Sequence, residues 1–217
     1  MVTDAVIPAR SESETIGQVI SAIRKTPGIG NIFVIDDLSS DATATAASNS
    51  GGIVRRGPGH GKAAAMLAGL ELTRTERVLF CDGDIIGLTS GKVSRLIGQQ
   101  TGMTIGQRED TLYGFIPSLS GERCLPAATA RRALVTTSGY GAELAINAQA
   151  GYEGLPIRTI RLNTHNPERG SHFLVPAVAK YSPGLLLYCV SWLLTFIIEA
   201  HSFSMKMGRS DSRSEPE

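Results

Sequence analysis

Over residues 1–81 the chain alternates short apolar runs with amphipathic ones, and this alternation limits the fold more than any other feature. Ala5 to Pro8 reads as a strand, Glu14 to Lys25 as a helix, Ile32 to Ile35 as a strand and Asp41 to Ser48 as a helix. Gly52 to Arg55 follows as a short strand, Lys62 to Thr73 as a helix and Arg77 to Cys81 as a strand. Short apolar strands joined by helices imply an α/β fold with a parallel sheet and right-handed crossovers. Such sheets bind ligands beyond the carboxyl ends of their strands, and Arg10, Asp36, Asp37, Asp82 and Asp84 all fall at that edge. Farther on, Thr101 to Ser120 reads as strand or loop covering an acceptor pocket. Helices are expected at Ala127 to Leu134 and Ala142 to Gly151, and a strand at Ile157 to Leu162.

The 217 residues suffice for one domain and a C-terminal appendage. A formal charge of +1 gives no global attraction for a polyanion, so nucleic acid is not suggested. Cys81, Cys124 and Cys189 are widely spaced and odd in number, against a disulfide framework or a zinc site and for a reducing, cytoplasmic setting. Val2-Thr3-Asp4 enters a strand at once, unlike a signal peptide. The 14 apolar residues Leu185 to Ile198 are short for a membrane span and suit a helix packed on its own domain or on a second copy. Lys180, Lys206 and Arg209 flank it and leave contact with a membrane surface open. The expected division is a catalytic domain over 1–175, an apolar helical appendage over 176–204 and a disordered tail over 205–217.

Val78 to Phe80 leads into Cys81-Asp82-Gly83-Asp84, two carboxylates one residue apart where a strand ends. Both can reach one hard cation, Mg²⁺ or Mn²⁺, that keeps positions for a substrate's phosphates. In Pro8-Ala9-Arg10-Ser11-Glu12 a strand breaks into a polar loop suited to a nucleobase, with Glu12 fixing the loop or a ribose. Asp36 can accept from a base imide or a ribose hydroxyl. Gly57-Pro58-Gly59-His60-Gly61-Lys62 opens a helix with glycines that let a phosphate approach and a lysine that adds charge, without the spacing of an ATPase loop. His165 lies just beyond a strand, placed to offer a nitrogen to the cation that Asp84 holds.

In this order the segments resemble the GT-A glycosyltransferases of the family 2 type, the group of the dolichyl-phosphate mannosyltransferases, and are similar to the glucosyl-3-phosphoglycerate synthases. Pro8-Ala9-Arg10-Ser11-Glu12 matches the family's Pro-Ala-x-Asn-Glu, and Asp36-Asp37-Leu38-Ser39-Ser40-Asp41 its Asp-Asp-Gly-Ser-x-Asp. Gly59-His60-Gly61-Lys62 matches the Gly-Lys-Gly loop and Asp82-Gly83-Asp84 the metal motif, while Ser120-Gly121-Glu122-Arg123 and Gly139-Tyr140-Gly141-Ala142-Glu143 resemble the acceptor-side segments. Ser11 stands where the family usually has Asn, and Leu38 where it has Gly. The resemblance implies a GT-A, Rossmann-like, mostly parallel sheet flanked by helices. It implies that Pro8, Ala9, Arg10, Glu12, Asp36 and Asp37 line the nucleoside pocket, and that Lys62, Asp82 and Gly83 meet the rest of the nucleotide. It makes Asp84, Asp82 and His165 the metal set.

The activity expected is metal-dependent transfer of a sugar from a UDP- or GDP-sugar to a hydroxyl or phosphate acceptor. Glu143 is the candidate base with Glu122 behind it, and Asp84 serves the leaving group. The acceptor is open among a polyprenyl phosphate, a phosphorylated small acid, a protein or glycan, and a modified DNA base. A sugar-phosphate nucleotidyltransferase and a non-catalytic nucleotide-sugar-binding subunit are the alternatives.

Overall fold

The computed structural model describes residues 2–108, 120–137 and 141–167. The helix expected at 185–198, the tail from 205 and the boundary near 175 lie outside the described residues, as do Tyr113 to Ile116 and Gly139-Tyr140.

Among the described residues, seven strands form one sheet. They are β1 (Thr3–Ala9), β2 (Ile29–Asp36), β3 (Ile53–Arg56), β4 (Arg77–Phe80), β5 (Met103–Gln107), β6 (Arg123–Pro126) and β7 (Ile157–Arg161). Their order is β3-β2-β1-β4-β6-β5-β7. The helices are α1 (Ile16–Arg24), α2 (Thr43–Asn49), α3 (Lys62–Leu72), α4 (Ser90–Ile97), α5 (Ala127–Leu134) and α6 (Ala142–Tyr152). Each element read from residues 1–81 is present, with ends moved by at most three residues.

Alternation along β1 divides the core into two layers. Ala5 and Ile7 join one apolar cluster with Ile16, Val19, Ile20 and Ile23, the i, i+3, i+4, i+7 stripe of α1, and with Val93 and Leu96 of α4. Val6 joins the other with Ala63, Met66 and Leu70 of α3, and with Ala130 of α5 and Ile146 of α6. Gly69 lets α3 lie close to the sheet, because a Cβ there would overlap the Val6 side chain and stand 3.1 Å from Ile35 Cγ1.

The sheet is mostly parallel, as expected, with one strand reversed. β1 pairs in parallel with β2 and β4, and β5 with β7, but β6 runs antiparallel between β4 and β5, with Phe80 opposite Arg123. Its first residue therefore lies beside the last residue of β4. β6 and α4 were not expected from the sequence; α4 is started by the Thr89 side chain, which accepts from the Lys92 amide at 3.4 Å. The parallel strands finish at Ala9, Asp36, Arg56, Phe80, Gln107 and Arg161, so the segments that follow them meet the start of β6 along one edge.

Candidate functional site

Four loops at this edge hold one another. The Ser11 amide donates to Ser39 Oγ at 2.9 Å, the Glu12 amide to Thr43 Oγ1 at 2.8 Å and the Ser13 amide to Asp41 Oδ2 at 3.2 Å. Thr15 Oγ1 donates to the Gly83 carbonyl at 2.9 Å, and a Cβ on Gly83 would overlap Glu12 Oε2. Glu12 is thus tucked under the turn that carries Asp82 and Asp84. The Thr43 hydroxyl also donates to Asp41 Oδ1, and these bonds hold the Asp41 carboxyl down at about 2.

Asp36 is half-buried at the end of β2 and accepts from the Ser39 amide at 3.1 Å. With Leu38, Ser39, Ala44, Val54 and Arg56 it lines a cleft of about 460 Å³. Pro8 and Ala9 are buried in β1 opposite Ile35 and Asp36, and Arg10 is exposed just past the strand. Asp37 has another task than the one expected. It is buried, and its two oxygens accept from the amides of Gly59 at 2.7 Å and Gly61 at 2.9 Å, so it shapes the glycine loop. That loop ends at Gly61, whose φ of 87° delivers Lys62 to the first turn of α3.

Lys62 is the centre of the charged group. Its Nζ lies 2.6 Å from Asp82 Oδ1 and 2.6 Å from Glu143 Oε1. Burial alone would lower its proton affinity, but Asp82 and then Glu143 outweigh burial and raise it. Burial likewise pushes Asp82 up, and Lys62 first and Arg108 second overcome this and hold the carboxyl below its usual value. Arg108, 2% exposed, reaches Asp82 Oδ2 at 3.5 Å and Glu122 Oε1 at 3.8 Å. Glu122 is fully buried and accepts from Ser120 Oγ at 2.6 Å; burial, then the Asp82 charge, raises its carboxyl. Arg123, also fully buried, donates to the Glu143 carbonyl at 3.1 Å, to Asn147 Oδ1 at 3.0 Å and to the Ser120 carbonyl, joining α6 to the turn before β6. Burial lowers the value of its guanidinium against the pull of Glu143 and Glu122. Gly121 is obligatory in that turn, since a Cβ would overlap the Asp82 carboxylate.

Asp84 is buried to 8% exposure, and its Oδ2 accepts from Asn166 Nδ2 at 3.2 Å. His165 is exposed and joined to the same turn through its backbone, with the Ile86 amide donating to its carbonyl at 2.8 Å. Among the described residues no three His, Cys, Asp or Glu side chains form a closed metal cage. The donors present at the turn are the hard carboxylate oxygens of Asp82 and Asp84, with His165 tied to the same turn by its backbone. They suit a Mg²⁺ or Mn²⁺ ion whose other ligands come from a diphosphate and water.

The structure thus gathers Asp82, Lys62, Glu143 and Glu122, sets Asp84 in the adjoining turn, and puts Asp36 in a neighbouring cleft. Ser120 and Arg123 lie in a segment that resembles the acceptor side but were given no role of their own from the sequence, and neither were Arg108 and Asn166. Arg108 directly follows β5, Ser120 lies just before β6, Arg123 opens β6 and Asn166 lies a few residues beyond β7, and these placements are the signal that could have found them once the direction of β6 was known.

Residues 4–100 match the family model described as Glycosyl transferase family 2. The chain is 32% identical over 100 residues to a 4,4'-diaponeurosporenoate glycosyltransferase of Staphylococcus aureus, a match spanning 43% of this chain and 27% of that protein. The chain thus spans about a quarter of the length of the curated relatives it matches. Among solved structures it is similar to a mycobacterial protein, with a TM-score of 0.67 and 22% identity over 78% of this chain and 68% of the other. It is also similar to glucosyl-3-phosphoglycerate synthase from Mycobacterium tuberculosis bound to Mn²⁺ and UDP-glucose, with a TM-score of 0.66 and 22% identity over 78% and 72% of the two chains. The chain accordingly shares the GT-A fold of this synthase, and its residues 4–100 match the family 2 glycosyltransferase model.

Proposed function

We propose that this chain transfers a sugar from a nucleoside diphosphate sugar, with a UDP-sugar as the favoured donor, to a hydroxyl or phosphate acceptor. The observation that carries the reading is the Asp82–Lys62–Glu143 triplet, two 2.6 Å ion pairs at the carboxyl edge of the sheet beside the turn bearing Asp84. The cleft of Asp36, Leu38, Ser39 and Arg56 receives the nucleoside, where Asp36 accepts from an imide N–H and Arg56 offers donors. Lys62, at the start of α3, meets the diphosphate, where the ammonium and the helix end both favour negative charge.

Asp84, with Asp82 and His165, would hold Mg²⁺ or Mn²⁺. Such an ion neutralises the charge that builds on the departing diphosphate. In support, the M. tuberculosis synthase has been crystallised with Mn²⁺ and UDP-glucose, and with Mg²⁺ and UDP. Glu143 takes the proton of the acceptor hydroxyl as that oxygen bonds to the sugar carbon and the bond from this carbon to the diphosphate breaks. Lys62 first leaves Glu143 for the phosphates, freeing Glu143 Oε1, which its Nζ holds at 2.6 Å. Of the acceptors expected, a phosphorylated small acid has the best support, since the same synthase is also known bound to phosphoglyceric acid. Buried free thiols at Cys81 and Cys124 suit a reducing cytoplasmic setting.

A thermal-shift panel of UDP-, GDP-, CDP- and dTDP-sugars with and without Mn²⁺ tests this reading. Ligand at about a hundred times its Kd should raise Tm by roughly 5–10 °C. The rise is expected with a UDP-sugar, only with Mn²⁺ present, and not in Asp84→Ala. A shift of equal size in that variant would remove Asp84 from the site.

A further inference from the structure

We infer that Asn166 is a positioning residue that sets the direction of the Asp84 carboxylate. The inference rests on the metal-dependent reading above and assigns it a residue that does not itself carry the chemistry. Beyond β7 the backbone is tied across the ligand edge at three points. The Leu162 amide donates to the Gln107 carbonyl at 2.9 Å, Lys92 Nζ to the Asn163 carbonyl at 2.7 Å, and Ile86 and His165 exchange backbone bonds of 2.8 and 3.3 Å. Asn166 therefore leaves a fixed backbone, and its amide spans two buried groups of opposite charge. Arg108 Nη1 donates to Asn166 Oδ1 at 2.8 Å, and Asn166 Nδ2 donates to Asp84 Oδ2 at 3.2 Å.

A guanidinium has no acceptor atom, so the carbonyl end of the amide must face Arg108 and the NH₂ end must face Asp84. The orientation is dictated by chemistry. Arg108 is 2% exposed and Asp84 is 8% exposed, leaving little room for water to take over the bond. The same guanidinium lies 3.5 Å from Asp82 Oδ2, so through Asn166 a single cation registers both aspartates of the Asp82-Gly83-Asp84 turn. Residues that orient a ligating side chain typically change metal affinity by about 10–100-fold when removed.

The test uses the full chain, titrated with Mn²⁺ in saturating UDP and followed by the electron paramagnetic resonance signal of free Mn²⁺. Asn166→Ala and Asn166→Ser should each bind Mn²⁺ about 10–100-fold more weakly, while UDP binding measured in EDTA stays at the wild-type value. In a double variant with Asp84→Asn, loss of Asn166 should add nothing to the loss from Asp84→Asn alone, because both act through one carboxylate. Wild-type Mn²⁺ affinity in the Asn166 variants, or additive losses in the double variant, would overturn the inference while leaving the donor reading intact. Failure of both variants to fold would overturn it too, by making the residue a structural one. If the wild-type chain takes up no Mn²⁺ with UDP, the donor reading itself falls.

Discussion

Ser11 and Leu38 sit in the left-handed backbone region, at φ of 57° and 63°, where the family that the chain resembles usually has Asn and Gly. Those usual residues tolerate this conformation, and ordinary side chains are held there at about 1–2 kcal/mol. The loop holds this geometry with Ser and Leu in these places, tied by the Ser11–Ser39 and Glu12–Thr43 bonds. Glu122 yields a prediction with a definite sign. Burial first and the Asp82 charge second raise its carboxyl. From the unfolded value near ~4.3 upward, the unfolded chain gives up this proton before the folded one does, so Glu122 costs stability as pH rises. Glu122→Gln removes that cost, and its Tm relative to wild type should climb as pH rises above about 4; a difference that stays flat would show that burial and Asp82 do not raise this carboxyl. The placement of Asp82, Asp84, Lys62 and Asp36 at the ligand edge was legible because each follows a readable strand or opens a readable helix. Asp37 was misplaced because sequence says nothing of which way a carboxylate turns, and here it turns to two amides.

Helix α3 shows two local preferences in opposition. Exchanging Gly69 for alanine would gain about 1 kcal/mol of helix propensity, yet the new Cβ would overlap Val6 and crowd Ile35, and overpacking of a tight core costs about 1–3 kcal/mol. Gly69→Ala should therefore lower stability, by up to about 2 kcal/mol, in urea unfolding; a stabilised variant would mean that α3 can lift from the sheet. Most elements were readable because their apolar period is clear, as in the Ile16, Val19, Ile20, Ile23 stripe. Strand β6 was not, since its four residues begin with a buried arginine and end in proline, and nothing in so short a run encodes the direction of pairing. Helix α4 buries only Val93 and Leu96, too faint a stripe to stand out.

Across the described residues, six parallel strands and one reversed strand bring their loops to a single edge, while the far end carries Pro27, Gly28, Gly98 and Gln100 around a smaller cavity of about 190 Å³. Ligand binding should protect the two ends unequally. With UDP and Mn²⁺, amide hydrogen exchange is expected to slow over 36–41, 57–62, 82–87, 120–123 and 162–166 and to stay unchanged over 27–28 and 98–102. Uniform slowing at both ends would place the ligand elsewhere. The family match stops at residue 100, before β5 begins. What comes after it meets the earlier portion at the site mainly through charge, Glu143 on Lys62 and Arg108 on Asp82, with the reversed strand as the hinge of the arrangement. On the proposed reading, a lineage can redraft its later half, and with it the recipient of the sugar, while the inherited grip on the nucleotide stays as it was.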